Sequence, residues 1–430
     1  MDLARKTAFE ILFEIEKEEA YSNLTINRFL DKNRPENPAF VRELVYGVLE
    51  NKILLNYYLD NLIPSGIKKV KKKEATLLRL GLYQLMFMDS VPDYAAVSET
   101  VNIAKKVVRG RDGFINGVLR GYMKKGDSIS LPDKEKDCKN YLSIKYSFPL
   151  WLIEKWENQY GLPECEKLLE ASNARPKLSI RVNIQKTSRD ELKSYLEAQG
   201  YEVNEGKFST RTLHVKGSGL LEDKMYKEGY FSVQDEASTV CADQLGAEPG
   251  DTVIDVCAAP GGKTSAVAEM MDGKGIVYSC DIYEHKLELI KGLAERLGLS
   301  IVEPTLLDGT TGNDQWIDKA DKVLADVPCS GLGVIRRKPE IKYKDITDFA
   351  ELVDIQKDIL YKAARYVKTG GTLVYSTCTI NKDENQLQVS NFLEENREFE
   401  MTYEKQFLPT EDIDGFYVCK MIKKGEKEGV

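Results

Sequence analysis

Two of the eight cysteines in this chain lie in polar, turn-prone sequence directly after short apolar runs. Cys329 follows the run 323–325 in the stretch DVPCSG, and Cys378 follows the run 372–374 in the stretch YSTCT. Each run is typical of a buried strand, and ligands bind at the carboxyl ends of the strands in a parallel sheet. Neighbouring strands lie about 4.8 Å apart. The pattern therefore predicts that both thiols share one pocket if their strands are adjacent.

A thiol in such a position suits nucleophilic chemistry better than metal binding. A thiolate attacks electron-poor carbon readily, but it needs a lowered pKa or a partner that removes its proton. The only histidines, His214 and His285, are distant in sequence from Cys329 and Cys378, which argues against a cysteine–histidine hydrolase. Because no two cysteines have C-x-x-C spacing, we predict no metal site.

A glycine-rich loop lies between a predicted strand and a predicted helix, in the stretch 255–264, DVCAAPGGKT. Small residues let a ligand approach the backbone, and the start of the helix offers unpaired N–H groups. A Walker A loop would need glycine five residues before Gly262, where Cys257 stands, and the dinucleotide motif G-x-G-x-x-G is also absent. We predict that this loop binds a ligand without a pyrophosphate, through Cys257, Ala258, Ala259, Pro260, Gly261, Gly262 and Lys263.

Acidic residues follow the next two predicted strands. Asp281 comes 20 residues after Gly261, a position typical of a carboxylate that binds ribose hydroxyls. Asp308 ends the third strand, where it would lie beside an adenine edge. A strand-end aspartate is often only a cap or turn residue. Their register with the glycine-rich loop favours ligand binding over that alternative.

The elements that position these residues divide the chain into three predicted parts. Residues 1–127 have apolar spacing typical of consecutive helices and predict an all-α domain. Residues 128–232 contain a polar linker and then a small α+β segment, with strands at 178–182 and 230–233 and a helix at 188–199. Residues 233–430 alternate strand, loop and helix, with strands at 252–256, 275–280, 300–306, 322–325 and 371–375. This alternation predicts a mainly parallel sheet covered on both faces, followed by a polar tail at 420–430.

Composition and charge narrow the class of protein. With 42% hydrophobic and 30% charged residues, the chain is typical of a globular protein. It has no apolar run of the about eighteen residues that a membrane helix needs, and its start lacks a secretory signal, so we expect it in the cytoplasm. The net charge is −8, yet residues 1–130 hold 21 basic and 17 acidic side chains. The basic clusters at 68–73 and 105–125 are suited to phosphates, or else form solvated helix faces.

Three stretches resemble the S-adenosylmethionine-dependent RNA cytosine-5 methyltransferases. They are DVCAAPGGKT at 255–264, DVPCSGLGVIRRKPEIK at 326–342 and YSTCTI at 375–380, and the segment 233–238 is also similar to that family. The N-terminal helices resemble the NusB-type RNA-binding fold, notably at 93–97 and 114–120. This fusion resembles bacterial enzymes that methylate small-subunit (16S) ribosomal RNA. The chain departs from the family at Tyr343, where tryptophan is frequent, and at Gly415-Phe416-Tyr417, where Gly-Phe-Phe is common.

The resemblance implies a multidomain architecture: an all-α NusB-like domain, a small α+β connector and a Rossmann-like methyltransferase domain. It implies that Cys378 attacks carbon-6 of a cytosine taken out of its stack, so that carbon-5 accepts the methyl group. Asp326 would contact the base and belong to the cofactor site, and Cys329 would assist release of the product. The implied cofactor is S-adenosylmethionine, held by the glycine-rich loop with Asp281 and Asp308. The implied partner is ribosomal RNA, bound by a monomer.

Two alternatives and one further surface remain. The substrate could instead be transfer RNA, or the chain could be a non-enzymatic NusB-like RNA-binding factor. Basic residues follow the Cys329 motif directly and are candidates for phosphates that flank the target base, or else form an exposed charged loop. These are Arg336, Arg337, Lys338 and Lys342.

Overall fold

The computed structural model describes residues 2–18, 20–344 and 347–425. These residues belong to two units with separate cores, the first comprising Met1–Asn173 and Ile335–Lys344 and the second Ala174–Val334 and Asp345–Val430. The predicted boundaries after residues 127 and 232 differ from this division. The helices within residues 138–171 and the segment 335–344 after the Cys329 motif both belong to the first unit, where they contact the helices at 52–62 and 38–50, respectively.

The first unit is helical, as the apolar spacing predicts. Its central helix packs against five other helices and is buried on nearly all sides, including Leu77, Leu78 and Leu82. Segment 335–344 adds a short 3₁₀ turn at Pro339–Tyr343. Among the described residues of this unit, the α-helices are α1 (Leu3–Glu18), α2 (Ser22–Asn33), α3 (Pro38–Glu50), α4 (Lys52–Leu62), α5 (Lys72–Phe87), α6 (Asp93–Val107), α7 (Asp112–Lys125), α8 (Cys138–Tyr146), α9 (Leu150–Tyr160) and α10 (Leu162–Ala171).

The second unit begins with an antiparallel sheet of order β2-β3-β1-β4. Strands β1 and β4 and the helix after β1 were predicted from sequence, whereas β2 and β3 were not. Strand β2 has one buried residue, Val203, so its apolar signal is too weak to identify. The elements are β1 (Leu178–Val182), α11 (Arg189–Ala198), β2 (Glu202–Glu205), β3 (Thr212–Lys216), α12 (Lys224–Lys227) and β4 (Phe231–Val233).

A seven-stranded mixed sheet of order β10-β11-β9-β8-β5-β6-β7 forms the rest of the second unit. All five predicted strands are present and parallel, and an antiparallel hairpin is added at one edge. The elements are α13 (Glu236–Leu245), β5 (Thr252–Asp255), α14 (Gly262–Met270), β6 (Ile276–Asp281), α15 (Glu284–Leu297), β7 (Val302–Leu306), β8 (Ala320–Asp326), α16 (Thr347–Tyr366), β9 (Val367–Thr377), α17 (Gln386–Glu395), β10 (Phe399–Phe407) and β11 (Phe416–Lys423).

The prediction of a polar tail from residue 420 was wrong for its first part. Lys420–Lys423 belong to β11, which pairs with β9 through Lys420↔Val374 and Ile422↔Thr372. The strand continues there because Met421 is fully buried among the apolar residues of the sheet. The tail residues 426–430 lie outside the described part of the chain.

The order of the parallel strands creates a switch point beside β5. The chain passes from β5 to β6 and β7 on one side, and β8 then pairs with β5 on the other. Ligands bind in α/β sheets at such reversals, beyond the carboxyl ends of the strands. Strands β8 and β9 are adjacent, with Asp326 opposite Ser376. The condition for a shared pocket is therefore met.

Three further observations bear on what the chain can bind. Within residues 2–18, 20–344 and 347–425, no helix is both long and apolar enough to cross a bilayer. The same residues contain no group of three histidine, cysteine, aspartate or glutamate side chains arranged for a metal ion. All eight cysteines are free thiols.

Candidate active site

The two strand-end cysteines meet at one point. Cys329 and Cys378 are half-buried, and their sulfur atoms lie 3.3 Å apart. This contact follows from the register of β8 and β9, because each cysteine stands two or three residues beyond an opposed pair, Asp326 and Ser376. The hydrogen bond between Cys329 and Cys378, together with burial, raises the pKa of Cys329 well above its usual value. Cys329 therefore holds its proton at neutral pH.

Asp326 stands at the end of β8 between two donors from other segments. Lys263 Nζ donates to its Oδ2 at 2.7 Å, and Ser376 Oγ donates to its Oδ1 at 2.8 Å. Burial opposes the charge on Lys263, but the Asp326 carboxylate outweighs it and raises the pKa of Lys263. The Lys263 ammonium also lies 5.0 Å from the centre of the Phe416 ring. The carboxylate is thus oriented by a cation that comes from the glycine-rich loop.

The glycine-rich loop joins β5 to α14 by a turn that only glycine adopts easily. Gly261 has φ +102°, in the left-handed region, and a Cβ there would lie 3.3 Å from Ile290 Cα. The amide of Ala258 donates to Cys280 O at 2.7 Å, which holds the loop against the neighbouring strand. The loop therefore has a defined conformation, with its backbone at the carboxyl end of β5.

Asp255, at the end of β5, is a buried carboxyl group behind this loop. It is 1% exposed and accepts a hydrogen bond from Thr264 Oγ1 at 2.7 Å. Burial raises the pKa of Asp255 to about 7, because removal from water disfavours the charged form more than the Thr264 hydrogen bond favours it. The group is thus partly protonated near neutral pH, and sequence reasoning did not identify it as a member of the site.

Asp281 and Asp308 occupy the strand ends where the sequence places them. Asp281 ends β6, accepts from Tyr283 N at 3.0 Å and pairs with Lys286 at 3.4 Å. Asp308 lies just beyond β7 and accepts from the Thr310 amide and hydroxyl, hydrogen bonds that lower its pKa. A carboxylate accepts about four hydrogen bonds. Both residues therefore serve as turn residues and keep acceptor capacity for a ligand.

The loops that carry the two cysteines are also joined through backbone contacts between glycines. Gly333 N donates to Cys378 O at 3.1 Å, and Gly415 N donates to Gly333 O at 2.9 Å. A Cβ on Gly333 would lie 2.0 Å from Gly415 O, so no other residue fits without displacement of the backbone. A Cβ on Gly415 would in turn lie 2.7 Å from Gly333 Cα, which gives a structural reason for glycine at position 415, just before β11.

Arg181 positions the start of α14, and sequence reasoning missed it. Its guanidinium is fully buried and donates to Gly262 O at 2.7 Å, to Ser265 Oγ at 3.0 Å and to Glu269 Oε1 at 2.7 Å. Gln234 is a further acceptor. In the sequence, an arginine in the strand LSIRV suggests a solvent-facing position. Arg181 is buried against α14, which lies about 80 residues further along the chain. The residues around Arg181 therefore give no signal of its burial.

Replacement of Arg181 by methionine is expected to lower the free energy of unfolding by about 3–5 kcal/mol, because it leaves the Glu269 carboxylate buried without its main partner. Urea denaturation measures this change. The double variant Arg181→Met, Glu269→Leu is the matched control and should recover most of the loss. If Arg181→Met lowers the free energy of unfolding by less than about 1 kcal/mol, the Arg181–Glu269 ion pair does not stabilise the start of α14.

The basic residues after the Cys329 motif lie in the first unit and differ in exposure. Lys342 is completely buried, donates to Glu50 O at 3.1 Å and to Asn173 Oδ1 at 2.7 Å, and lies 4.0 Å from the Phe148 ring centre. Burial lowers the pKa of Lys342 to about 7. Arg336 is also buried. Neither side chain is placed to contact phosphate, whereas Arg337 and Lys338 remain partly exposed.

The two basic clusters predicted in the helical domain border one cavity of about 520 Å³ in the first unit. The segment 71–73 at the start of α5 lines one side, and Arg109 and Arg111, between α6 and α7, line another. Glu74 is the buried acidic residue of this cavity and pairs with Arg111 at 3.3 Å. The excess of basic side chains gives the cavity a positive charge suited to polyanions.

Three segments match known protein families. Residues 242–422 match the family described as 16S rRNA methyltransferase RsmB/F, residues 2–124 match the NusB family, and residues 148–220 match the ferredoxin-like domain of the RsmF/B-like methyltransferases. These matches confirm the predicted three-part architecture of helical domain, α+β connector and Rossmann-like domain.

Relatives extend this likeness over nearly the whole chain. The probable ribosomal RNA small subunit methyltransferase B of Bacillus subtilis (strain 168) is 39% identical to this chain. The alignment covers 98% of this chain and 99% of the relative. The probable ribosomal RNA small subunit methyltransferase B of Synechocystis sp. (strain ATCC 27184 / PCC 6803 / Kazusa) is 35% identical, with coverages of 92% and 90%. The solved structure of PH0851 superposes with a TM-score of 0.83 at 26% identity, and covers 98% of this chain and 99% of that one.

Proposed function

This chain belongs to the ribosomal RNA small subunit methyltransferase B family, and from that premise we propose that it transfers a methyl group from S-adenosylmethionine to carbon-5 of a cytosine in 16S ribosomal RNA. The main observation in support of this chemistry is the contact between Cys329 and Cys378, whose sulfur atoms lie 3.3 Å apart beside the end of β8. The names of the relatives favour ribosomal RNA over transfer RNA. The intact two-thiol site favours an enzyme over an RNA-binding factor that lacks activity.

The residues at the switch point fit S-adenosylmethionine, which supplies an activated methyl group on a sulfonium. Helix α14 begins without a side-chain cap, so its first backbone N–H groups can bind a carboxylate. Asp281 and Asp308 offer acceptors for hydroxyl and amino groups. This combination of donors and acceptors suits an amino acid linked to a nucleoside. We assign the cofactor to the loop 257–263 with Asp281, Asp308 and Asp326.

The two cysteines have different roles in the proposed reaction. Cys378 attacks carbon-6 of a cytosine taken out of its stack, and the new sulfur–carbon bond makes carbon-5 nucleophilic. After carbon-5 gains the methyl group, its proton passes to solvent water as the bond from Cys378 to carbon-6 breaks. Cys329 lies 3.3 Å from Cys378 and keeps its proton at neutral pH, so it can assist this elimination by donating a hydrogen bond to the departing sulfur. The reaction thus needs both thiols at one base.

Asp326 is proposed to hold the target base. The ring nitrogen takes up the Cys378 thiol proton as the sulfur–carbon bond forms. The Asp326 carboxylate accepts hydrogen bonds from this nitrogen and from the exocyclic amine, which favours the positive charge that develops on the base. Lys263 and Ser376 keep the carboxylate in place. For the surrounding RNA we propose phosphate contacts by Arg337, Lys338 and the basic cavity of the first unit. Because ribosomal RNA is the proposed substrate, we expect the protein in the cytoplasm.

The test is transfer of a labelled methyl group from S-adenosylmethionine to purified RNA. We expect label in 16S ribosomal RNA at a single cytosine, located by bisulfite sequencing, and none in transfer RNA. Thermal unfolding gives an independent readout, because a ligand of the folded state raises the melting temperature. Label in transfer RNA alone would reassign the substrate. The absence of both stabilisation by S-adenosylmethionine and methyl transfer would overturn the enzymatic proposal.

A further inference from the structure

Glu384 is a buried carboxylate between the two cysteine loops, and no role was assigned to it from the sequence. It lies between β9 and α17 and is 0% exposed. Its Oε2 accepts from Ser330 N at 2.8 Å and from Gln356 Nε2 at 2.9 Å, and its Oε1 accepts from Ser330 Oγ at 2.5 Å and Asn381 Nδ2 at 2.9 Å. Thr379 Oγ1 also donates to Oε1, at 3.5 Å, so five donors converge on one carboxylate.

These donors come from both sides of the thiol pair. Ser330 directly follows Cys329, and its hydroxyl also contacts Thr379 Oγ1 at 2.8 Å, directly after Cys378. Gln356, on α16, donates in addition to Pro328 O at 2.9 Å, directly before Cys329. Glu384 thereby connects the residues on both sides of Cys329, directly at Ser330 and through Gln356 at Pro328, with the side chain of Thr379 after Cys378.

We propose that Glu384 is a positioning residue of the two-thiol reaction, whose carboxylate holds the Cys329 and Cys378 loops at the separation that both attack and release require. This inference rests on the proposed function for its kinetic consequences. Glu384 acts through the loops without contact to the base. Hydrogen bonds to a charged acceptor are stronger than neutral ones, and a displacement of about 1 Å at reacting atoms costs about 10²-fold in rate.

Glutamine at this position keeps the volume but reverses part of the hydrogen bonding. The amide nitrogen would replace one of two oxygens that each accept from an N–H group, so a donor would face a donor in either orientation. Ser330 N belongs to the backbone and cannot turn away, unlike the side chains of Gln356 and Asn381. We therefore expect Glu384→Gln to fold and to hold its two cysteine loops less firmly.

The first experiment compares the kinetics of Glu384→Gln with those of Glu236→Gln. Glu236 is also 0% exposed in the second unit, and it accepts from the backbone amides of Phe208 and Ser209, away from both cysteines. We expect Glu384→Gln to lower kcat at least about 10-fold, with KM for RNA within about threefold of the wild type. The control should lose stability to a similar extent and keep its kcat. Equal kcat in the two variants, or a change confined to KM, would overturn the proposal.

A second readout needs neither RNA nor cofactor. Oxidised dithiothreitol converts the two thiols to a Cys329–Cys378 disulfide as the reagent itself is reduced to its dithiol, and peptide mapping measures the equilibrium. Loosened loops lower the effective concentration of one thiol for the other. We expect a fall of at least about 10-fold in Glu384→Gln and no change in Glu236→Gln. An unchanged equilibrium contradicts positioning by Glu384, even if the enzyme is active. If the disulfide equilibrium falls in Glu384→Gln but the wild-type protein shows no methyl transfer, only the proposed function is contradicted.

Discussion

Replacement of Cys378 by alanine is expected to abolish methyl transfer and covalent capture of RNA together. The proposed addition to carbon-6 has no other nucleophile, because Cys329 lies beyond a different strand end and holds its proton. Loss of a nucleophile lowers kcat by on the order of 10⁴-fold or more. The measurement is methyl transfer from labelled S-adenosylmethionine, together with a denaturing gel that resolves protein joined to RNA.

Replacement of Cys329 by alanine should have a different outcome. Attack by Cys378 and methyl transfer proceed, but elimination is impaired, so protein remains attached to RNA and multiple turnover stops. The matched control is Cys138→Ala, which changes a half-buried cysteine in the first unit and should leave both assays unchanged. A covalent product that persists in Cys378→Ala would overturn the assignment of the nucleophile. The absence of any such product in Cys329→Ala would remove Cys329 from the release step.

The strand ends of the site were predictable because their signals are local. Apolar runs followed by turn-prone residues predict β8 and β9, and the glycine-rich stretch predicts the β5–α14 turn. The pairing of β8 with β9, required for contact between Cys329 and Cys378, follows from a parallel arrangement but not from either run alone. The hairpin β10–β11 was missed. Strand β10 is largely exposed, with residues 400–402 facing solvent, so it lacks the apolar signal of a buried strand.

Partners that are distant in sequence could not be predicted. Lys263 and Asp326 are 63 residues apart, and Arg181 and Glu269 are 88 apart, so their pairing depends on how strands and helices assemble. The burial of Lys342 was not predictable either. It belongs to a basic run that suggests an exposed RNA-binding loop, yet it is buried in the helical unit, where a backbone carbonyl and Asn173 accept its hydrogen bonds. A charged residue in a sequence is therefore expected to be exposed, but segments distant in sequence can bury it.

The substitution Asp326→Asn is expected to lower kcat by about 10²–10³-fold, the range typical when one stabilising group is lost from a transition state. A neutral amide no longer favours the charge that develops on the base. It also leaves Lys263 without a charged partner, because the amide oxygen that can replace the carboxylate oxygen at Lys263 is neutral. Single-turnover methyl transfer measures the loss, and the dissociation constant of S-adenosylmethionine is determined in parallel, because Lys263 belongs to the loop assigned to that cofactor.

Asp321→Asn is the matched control for this effect. Asp321 lies on the same strand, β8, near its opposite end, and pairs with Lys368 at 2.8 Å and with Thr252 N at 2.9 Å. The two carboxylates have similar exposure, 33% for Asp321 and 26% for Asp326. Both variants thus lose an ion pair on β8, but only Asp326 lies near the two thiols. If Asp321→Asn is as slow as Asp326→Asn, the effect belongs to the strand as a whole. If Asp326→Asn stays within about threefold of the wild type, Asp326 does not stabilise the reacting base.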